Sequence, residues 1–479
     1  MNGIVIDCFA GGGGASQGIE QALNRPVDIA VNHDPQAIRM HKVNHPDTLH
    51  LTEDIFTVDL ERYVAGRHVA LMWASPDCTS HSKAKGGQPR NRGLRILPWA
   101  VFKHARKLLP DVIIMENVEE IQQWGPLDAA GFPIKERAGE EYRRFIAAMQ
   151  KLGYDFDSRE LIAADYGAPT TRRRWYAVFR RDGKPIRFPM PTHSRSGLWG
   201  EKWRACGDYI DWTDPGVSIF GRQKPLAEAT MRRIANGVRK FIVENPAPYI
   251  VQNGGMLAAS YLDKAYGGNY GGCGSDLHNP SGTITTVDHH RLVTAFLIQY
   301  HAEKQACECR GQLPSEPIRT IDTVNRYGLV SAYLTKFYHT GTGQSCSEPL
   351  HTITASGTHF GLVSAFLIKY YSTGGAQSLD EPVHTIRTHD CFGLVTVPVV
   401  IDDTEYIIAD ICLRMLKPEE LKRMQGFSAD YIIDRDADGV PYPRTQQVAR
   451  IGNSVVPVMA QKLVEENCGD LIAAEQAAG

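Results

Sequence analysis

The stretch GIVIDCFAGGGGASQGIEQALN, residues 3–24, is an apolar run followed by four consecutive glycines and a segment of helical pattern. The apolar run predicts a buried strand, and the glycines predict a turn that opens a helix. Glycines at the mouth of a helix let a ligand approach the backbone, where the first turn offers free amide groups. By itself the stretch is compatible with a dinucleotide site or with a tight structural turn.

Strand-like and helix-like segments alternate as far as residue 181. Further strands are predicted at VDIAVNHD (27–34), HVALMWAS (68–75), DVIIMENV (111–118) and RWYAVFRR (174–181). Helices are predicted at PQAIRMHKVNH (35–45), LPWAVFKHARKLL (97–109) and EEYRRFIAAMQKLG (140–153). Strands that alternate with helices favour an α/β fold in which a parallel sheet is covered on both faces.

The composition changes after Phe188, where Pro, Gly, Trp and Thr become common and helical patterns become rare. The related segments NPSGTITT, SEPIRTIDT, SEPLHTIT and DEPVHTIRT place threonines at 283, 320, 352 and 385. A similar apolar segment follows each, for example GLVSAFLIKYY (361–371), whose β-branched and aromatic residues predict strands. Regular self-similarity predicts one supersecondary unit used several times, either for recognition or as a purely structural β array.

Helical patterns return from Ile411 onward, at RMLKPEELKRMQGF (414–427) and TQQVARIGNSVVPVMAQKLVEEN (445–467). The chain is therefore expected to build part of a first domain over 1–189, a β-rich insertion over 190–405, and the rest of the first domain over 406–479.

The composition, 43% hydrophobic and 22% charged with a net charge of −2, is that of an ordinary globular protein. Neither a membrane-spanning helix nor a signal peptide is expected, and the pattern at the start predicts a cytoplasmic protein. The ten cysteines form no CxxC pair, and the Cys307-Glu-Cys309 spacing has no matching Cys/His partner. We therefore expect neither a disulfide framework nor a metal site.

Cys78 follows the predicted strand that ends near Trp73, in the loop SPDCTSHSKAKGG (75–87). The sequence alone leaves open whether this thiol packs, binds a metal or acts as a nucleophile. No acid occurs between Asp77 and Asp111, a stretch that contains Lys83, Lys85, Arg90, Arg92, Arg95, Lys103, Arg106 and Lys107. Such a run is often a solvated face, but its position next to the thiol favours a polyanionic substrate.

Two further polar groups stand beside predicted strands. Glu116 and Asn117 end the apolar segment VIIM, where a carboxylate can transfer protons or simply cap a helix. Arg172 and Arg174 precede the last strand of the first domain and share one face in extended backbone, with Arg173 on the other. Two guanidinium groups on one face suit a phosphate or a carbonyl oxygen that develops charge, unless they form an ordinary basic surface.

Together these segments resemble the DNA cytosine-5 methyltransferases of the prokaryotic or phage-like stand-alone type. The family's Phe-x-Gly-x-Gly-Gly, Pro-Cys-Gln, Glu-Asn-Val, Gln-x-Arg-x-Arg, Arg-Leu-Gln-Gly-Phe-Pro and Gly-Asn-Ser-Val elements have counterparts in the family's order over nearly the whole chain. These counterparts are Phe9–Gly14, SPDCTSHS (75–82), Glu116–Val118, Thr170–Arg174, KRMQGFSADY (422–431) and Gly452–Val455.

The resemblance implies a Rossmann-like domain that uses S-adenosylmethionine, with a β-rich target-recognition domain inserted. It implies that Cys78 attacks carbon 6 of a flipped-out cytosine, with arginines nearby favouring the thiolate. Glu116 would protonate ring nitrogen 3, Arg174 would hold the carbonyl oxygen at position 2, and Arg172 would support the site. The resemblance places the cofactor against Phe9, Gly11, Gly13, Gly14, Asn32, His33, Asp54, Ile55, Asn453, Ser454 and Val455. It also implies that the loop Ser80–Arg95, hinged at Gly86-Gly87, closes over the cytosine.

The chain departs from the family pattern at four positions. Asp77 replaces the proline before the nucleophile, Thr79 the glutamine after it, and Thr170 the glutamine of the arginine element. Asn32 stands where an acid would hold the cofactor ribose. Three alternatives remain: an RNA-methylating relative, a catalytically silent DNA-binding protein and a Rossmann oxidoreductase. The missing Cys-Phe-Thr signature argues against the RNA-methylating relative. The four retained catalytic residues argue against the catalytically silent protein, and Asn32 argues against the oxidoreductase.

The partner that the resemblance implies is double-stranded DNA, bound by a monomer without a membrane. It leaves open whether a cognate restriction endonuclease acts separately on the same site.

Overall fold

The computed structural model divides the chain into two compact units. The first comprises Met1–Ile210, His278–His289 and Leu416–Gly479, and the second comprises Asp211–Leu277 and His290–Met415. The structure describes residues 3–78, 81, 90–220, 222–253, 256–265, 272, 274–287, 289–299, 333–336, 344–345, 360–363, 367–369, 376–377, 392–394, 399–401 and 404–476.

A seven-stranded sheet runs through the first unit. Its strands are β1 (Ile4–Cys8), β2 (Ile29–Val31), β3 (Leu49–Leu51), β4 (Val69–Ala74), β5 (Val112–Asn117), β6 (Asp155–Ile162) and β7 (Arg173–Arg180), in the order β3-β2-β1-β4-β5-β7-β6. Strands β1 to β5 pair in parallel as predicted, but β7 is antiparallel to both β5 and β6. The all-parallel prediction is wrong at β7 because the connection 163–172 is shorter than a parallel crossover requires. Two short strands, β8 (His193–Ser194) and β9 (Glu201–Lys202), pair with each other after this sheet.

Helices cover both faces of the seven-stranded sheet. They are α1 (Gly14–Leu23), α2 (Pro35–Asn44), α3 (Leu60–Val64), α4 (Arg92–Arg95), α5 (Leu97–Leu108) and α6 (Glu140–Lys151), and after the second unit α8 (Pro418–Met424), α9 (Arg444–Asn453) and α10 (Pro457–Gln476). The predictions of α1, α2, α5 and α6 are confirmed. The stretch 445–467 forms two helices, because Pro457 has no amide hydrogen to continue α9 and opens α10 instead.

The sheet is buried on both faces because alternate residues of its central strands point to opposite sides. Ile6 and Ile113 join the core under α3, α5 and α6, whereas Val5 and Ile114 join the core under α1 and α10. The sequence did not predict the edge strands β3 and β6, because β3 has only three residues and β6 is largely polar and exposed.

The glycine turn between β1 and α1 is closed by the segment that returns after the second unit. The Tyr431 hydroxyl donates a 2.8 Å hydrogen bond to the Gly12 carbonyl. A Cβ at Gly13, whose φ is 84°, would lie 1.9 Å from that hydroxyl, and one at Gly14 would lie 2.1 Å from the Val455 carbonyl oxygen. These two glycines are therefore required by the packing of the chain against itself.

The second unit is built on an antiparallel sheet. Its strands are β10 (Val217–Ser218), β11 (Tyr249–Asn253), β12 (Met256–Lys264), β13 (His290–Gln299) and β21 (Thr404–Met415), in the order β10-β21-β13-β12-β11, with β20 (Val399–Ile401) also paired to β21. Helix α7 (Glu228–Val238) supplies Ile234 and Val238 to the core on one face of this sheet.

Two small sheets of the same topology follow, as the internal repeat predicts. They are β15-β14-β16, with strands Gln344–Ser345, Tyr333–Lys336 and Phe360–Val363, and β18-β17-β19, with strands Ala376–Gln377, Leu367–Lys369 and Phe392–Leu394. The strand prediction for GLVSAFLIKYY is confirmed at the parts of this segment that form β16 and β17.

The units do not begin and end at the expected boundaries, 190 and 405. The first unit continues to Ile210, includes 278–289 and resumes at Leu416. Thr283 of the first repeat therefore belongs to the unit that contains the glycine turn. Thr320, Thr352 and Thr385 lie outside the described residues.

Substitution of Gly13 tests the closure of the turn. Gly66 has a φ of 75°, close to that of Gly13, but no atom lies within 4 Å of the position that a Cβ would take there. Gly66→Ala should cost only the left-handed strain of about 1–2 kcal/mol, whereas Gly13→Ala should cost about 1–3 kcal/mol more because it displaces Tyr431. Chemical denaturation of both variants measures the difference, and equal losses would contradict a packing role for Gly13.

Candidate active site

The four predicted catalytic residues lie at one edge of the seven-stranded sheet. Cys78 follows β4, Glu116 lies near the end of β5, and Arg172 and Arg174 stand at the start of β7. Because β7 is reversed, its first residues meet the carboxyl end of β5, where Glu116 pairs with Tyr176. The reversal brings the arginines to the edge at which β4 and β5 end.

Glu116 and Arg174 form an ion pair that is almost fully buried. The Arg174 Nε lies 3.1 Å from Glu116 Oε1, although the angle is not that of a well-aligned hydrogen bond. Arg174 also donates from Nη1 to the Arg173 carbonyl at 2.7 Å. Arg173 itself faces Glu160, 3.7 Å away, and is more than half exposed. The prediction that Arg173 points away from the other two is confirmed.

Arg172 is buried and is held by two separate parts of the first unit. Its Nη1 donates to the Gly452 carbonyl at 3.1 Å and to the Ile284 carbonyl at 3.5 Å. Burial lowers the pKa of Arg172 to about 10, with Arg174 adding to the effect. The guanidinium therefore stays charged at neutral pH.

The segment 278–289 reaches Arg172 because it is attached to the loop in front of β7. The Thr171 amide donates to the Ser281 carbonyl at 2.9 Å, and the Ser281 amide donates to the Pro169 carbonyl at 2.9 Å. The Thr170 hydroxyl donates to the Gly282 carbonyl at 3.3 Å. The first repeat thus supports the arginine element, a role that its sequence did not suggest.

Cys78 is a free, partly buried thiol in a loop fixed to β5. The Asn117 Nδ2 donates to the Pro76 carbonyl at 3.0 Å, which positions the backbone just before the cysteine. Burial raises the pKa of Cys78, and Glu116 and Asp77 raise it further, whereas Arg174 and Arg172 lower it. Both arginines thus favour the thiolate, as predicted, but burial outweighs them and the pKa of Cys78 is raised overall.

The basic loop beyond Cys78 is described only in part. His81 is buried with its ring edge against Trp124, and its amide donates to the Cys78 carbonyl at 2.9 Å. Burial, with Arg95 and Arg90, lowers the pKa of His81 to about 3, so its ring is neutral. Residues 79–80 and 82–89, including the expected hinge Gly86-Gly87, lie outside the described part of the chain.

The predicted cofactor residues of the first half surround the glycine turn and the ends of β2 and β3. Of the atoms in the described part of the chain, only the Phe9 carbonyl oxygen lies within 4 Å of a Cβ built at Gly11, at 3.9 Å, so these residues leave space beside Gly11. Asn32 donates from Nδ2 to the Ala10 carbonyl at 3.0 Å. His33 and Asp54 are exposed, whereas Ile55 is buried. The backbone at Phe9 is left-handed, with a φ of 65°.

The predicted cofactor residues of the second half have different surroundings. Ser454 and Val455 are buried against the glycine turn, where a Cβ at Gly12 would lie 2.5 Å from the Ser454 Oγ. The Ser454 hydroxyl donates to the Arg450 carbonyl at 2.9 Å, and Asn453 is exposed. Ser454 and Val455 thus brace the turn from behind.

A buried polar chain under the turn was not predicted from the sequence. The Ser16 hydroxyl donates to Asp7 Oδ2 at 2.7 Å, so it accepts from His41 Nε2 at 2.9 Å, and His41 Nδ1 then accepts from His50 Nε2 at 2.9 Å. Asp7 Oδ1 has no hydrogen-bond partner among the described residues, and burial raises the pKa of Asp7 to about 7. The apolar strand around Asp7 gave the only signal, an acid in a place where charge is costly.

Metal-binding clusters and membrane-spanning helices are both absent from the described residues. No group of three or more His, Cys, Asp or Glu side chains is arranged there to hold a metal ion. None of the helices found there combines the length and the hydropathy of a membrane span.

The balance of charges at Cys78 can be tested by alkylation. Glu116→Gln should lower the pKa of the thiol and speed its reaction with iodoacetamide at pH 7.5, whereas Arg174→Gln should raise the pKa and slow the reaction. Each unit of pKa changes the thiolate fraction tenfold well below the pKa, so rates on the Cys78 peptide, followed by mass spectrometry, report the shift. Glu160→Gln, which removes the carboxylate near Arg173, is the control and should change nothing. A slower reaction in Glu116→Gln would contradict the assigned electrostatics.

Comparison with known proteins identifies relatives of this chain. Residues 4–197 match the family of C-5 cytosine-specific DNA methylases. The Type II methyltransferase M.AquIA of Picosynechococcus sp. is 31% identical over 255 residues, which make up 48% of this chain and 97% of that protein. M.AgeI of Thalassovita gelatinovora is 31% identical over 204 residues, 40% of this chain and 44% of that protein.

M.SacI of Streptomyces achromogenes is 29% identical over 210 residues, and the chain spans about half the length of this relative and of M.AgeI. Among solved structures, the Entamoeba histolytica methyltransferase EhMeth is 14% identical, with a TM-score of 0.45 over 98% of this chain and 99% of that one. At that TM-score the likeness adds nothing to the fold described above.

Proposed function

We propose a mechanism and a substrate for this chain, which belongs to the C-5 cytosine-specific DNA methylases and is a DNA cytosine methyltransferase of the restriction-modification type. The proposed reaction is methylation at carbon 5 of a cytosine in double-stranded DNA. The observation that supports it most directly is the buried Glu116–Arg174 pair beside Cys78, whose thiol all three other predicted catalytic residues influence electrostatically.

Cys78 is proposed as the nucleophile. Carbon 5 of cytosine is a poor nucleophile until its ring is activated. Attack of the Cys78 Sγ on carbon 6 forms a covalent bond and moves electron density to carbon 5. After methylation a water molecule takes the carbon 5 proton, and the electron pair of that bond forms the double bond to carbon 6 as Sγ leaves with its own pair as a thiolate. A cytosine stacked in a duplex is out of reach of Sγ, so the base must be flipped out.

Glu116 is proposed to hold and deliver a proton. With that proton it can donate to ring nitrogen 3 as negative charge builds on the ring. A protonated Glu116 also loses the negative charge that raises the pKa of Cys78. One proton on Glu116 therefore favours both the activated base and the thiolate that attacks it.

Arg174 and Arg172 are proposed to stabilise negative charge in the complex. Arg174 carries four of its five donor hydrogens on its two Nη atoms. With these it would hold the carbonyl oxygen at position 2 of the cytosine ring. Arg172 is fixed by two carbonyl groups and so supplies a positive charge that does not move. Preorganised charge of this kind costs no rearrangement during the reaction.

The residues at the glycine turn fit S-adenosylmethionine, which supplies the methyl group when it is bound. Gly11 leaves space beside the backbone, and helix α1 begins at Gly14 with free amide groups. Asp54 offers an exposed carboxylate, and Asp7 Oδ1 is a buried acceptor for which the residues that the structure describes supply no donor. We propose that Phe9, Gly11, Asn32, His33, Asp54 and Ile55 contact the cofactor, with Asn453 beside it and Gly13, Gly14, Ser454 and Val455 shaping the turn.

The second unit is proposed as the target-recognition domain inserted into the catalytic domain. It interrupts the first unit in sequence and carries the repeated β-sheets. Since one chain supplies every catalytic residue named above, we propose a monomer. Because its proposed substrate is double-stranded DNA, we propose that the protein acts in the cytoplasm.

Covalent trapping tests the proposed nucleophile. Wild-type protein with S-adenosylmethionine should form a denaturant-resistant complex with duplex DNA that contains 5-fluorocytosine, since fluorine cannot leave carbon 5 as a proton does. Cys78→Ser should form none and should lose methyl transfer by several orders of magnitude while it still binds DNA. Cys206→Ser, a change at a buried cysteine of the same unit, is the control. Methyl transfer by Cys78→Ser at the wild-type rate would refute the mechanism.

Gly11→Val tests the cofactor site without disturbing the turn. The new side chain meets open space in the free protein, so the thermal midpoint should stay close to that of wild type. The dissociation constant for S-adenosylmethionine, measured by calorimetry, should rise at least about tenfold, or about 1.4 kcal/mol. Unchanged binding would show that the cofactor does not approach Gly11.

A further inference from the structure

A compact loop, residues 192–204, stands on the segment that leads into the catalytic arginines. The Thr192 amide donates to the Asp165 carbonyl at 2.9 Å, and the Trp203 indole donates to Asp165 Oδ1 at 2.9 Å. The His193 ring packs so closely on Gly167 that a Cβ there would lie 2.8 Å from it. Asp165 and Gly167 precede Arg172 on the connection between β6 and β7. The loop is therefore fixed at the same edge of the sheet as the catalytic residues.

Hydrogen bonds within the loop hold its tip in one shape. The Ser194 hydroxyl donates to the Trp199 carbonyl at 2.8 Å and accepts from the Gly197 amide at 3.1 Å. Strand β8 pairs with β9, and Gly200 lies so near Thr192 that a Cβ would be 2.3 Å from its carbonyl oxygen. A loop closed on itself in this way presents its tip without a large entropy cost on binding.

The tip of the loop is apolar and faces solvent. Leu198 is 89% exposed and Trp199 is 54% exposed, whereas the Ser194 beneath them is buried. Single exposed apolar residues are common, but two adjacent ones on a braced tip form a surface suited to contact.

The charges around the tip are positive. Arg195, Lys202 and Arg204 are exposed, and none of them forms an ion pair with any other described residue. The loop has one acid, Glu201, which lies 3.1 Å from the ring of the buried His193. Free cations around an apolar tip match a polyanion with an apolar interior, which is the chemistry of a nucleic acid duplex.

We propose that residues 192–204 form a DNA-contact surface of the catalytic unit. Leu198 and Trp199 press against the sugars and base edges of the duplex at the target cytosine, as apolar side chains do when they separate base steps. Arg195, Lys202 and Arg204 neutralise the flanking phosphates. This surface rests on the proposed function, because it assumes that the substrate is duplex DNA.

Salt-dependent DNA binding separates the two parts of the surface. Each of Arg195→Gln, Lys202→Gln and Arg204→Gln should reduce the slope of log K against log salt by about 0.9, one phosphate contact each. The double variant Leu198→Ser, Trp199→Ser should weaken binding about tenfold at an unchanged slope, since apolar contacts release no counterions. Fluorescence anisotropy of a labelled duplex, with calorimetry for the cofactor, provides the measurements, and the affinity for S-adenosylmethionine should not change.

Matched controls lie at the opposite end of the strands from Cys78 and Glu116. Lys151 is an exposed cation at the end of α6, just before β6, whose first residue pairs with Arg180 at the far end of β7. Leu49 is 45% exposed at the start of β3. Lys151→Gln and Leu49→Ser should leave DNA binding as in wild type.

The DNA-contact surface and the proposed function fail in different ways. If wild type incorporates labelled methyl groups into duplex DNA but the loop variants keep its DNA affinity and salt slope, the DNA-contact surface is refuted and the proposed function stands. If wild type transfers no methyl group to DNA, the proposed function itself fails. Losses in the loop variants equal to those in Lys151→Gln and Leu49→Ser would also refute the surface.

Discussion

The close approach of the glycine turn to the returning segment of the chain is the constraint on which the first unit depends. The Tyr431 hydroxyl and the backbone at Val455 occupy the space that side chains at positions 13 and 14 would need. Because α1 and α10 pack side by side on one face of the sheet, the same contact joins the two sequence-distant parts of the unit into one core. The turn has its shape only when both parts are present, and any cofactor site built on it inherits this requirement.

The edge that carries Cys78 and Glu116 is a balance between burial and charge. Burial favours the neutral thiol of Cys78, and Arg174 and Arg172 offset this effect only in part. If Cys78 is the nucleophile, as we propose, a thiol that is held back in this way reacts less with other electrophiles in the free protein. A substrate that removed the negative charge of Glu116 would then lift part of this restraint.

Much of this organisation could be predicted from the sequence. The strands β1, β4 and β5 are strongly apolar, so their existence and their carboxyl ends could be placed, and with them Cys78 and Glu116. The reversal of β7 could not, because it depends on the length of one connection. Nor did any local pattern show that Ser281 supports the loop before Arg172, since that contact joins residues more than a hundred positions apart. The resemblance predicted Ser454 and Val455 as site residues. Their packing behind the glycines could not be predicted, because it joins two parts of the chain that are far apart in sequence.

The closure of the turn by residues near 431 and 455 also has a consequence for synthesis. A ribosome adds about 5–20 residues per second, in the course of which domains generally fold as units. Residues 11–14 leave the ribosome first. The residues near 431 and 455, which close the turn, are made only after the whole second unit has been translated, on the order of tens of seconds later. A nascent chain therefore carries an unfinished turn throughout elongation. Translation that stops before Tyr431 leaves the turn open and also leaves the face of the sheet under α1 without the residues that α10 adds to its core.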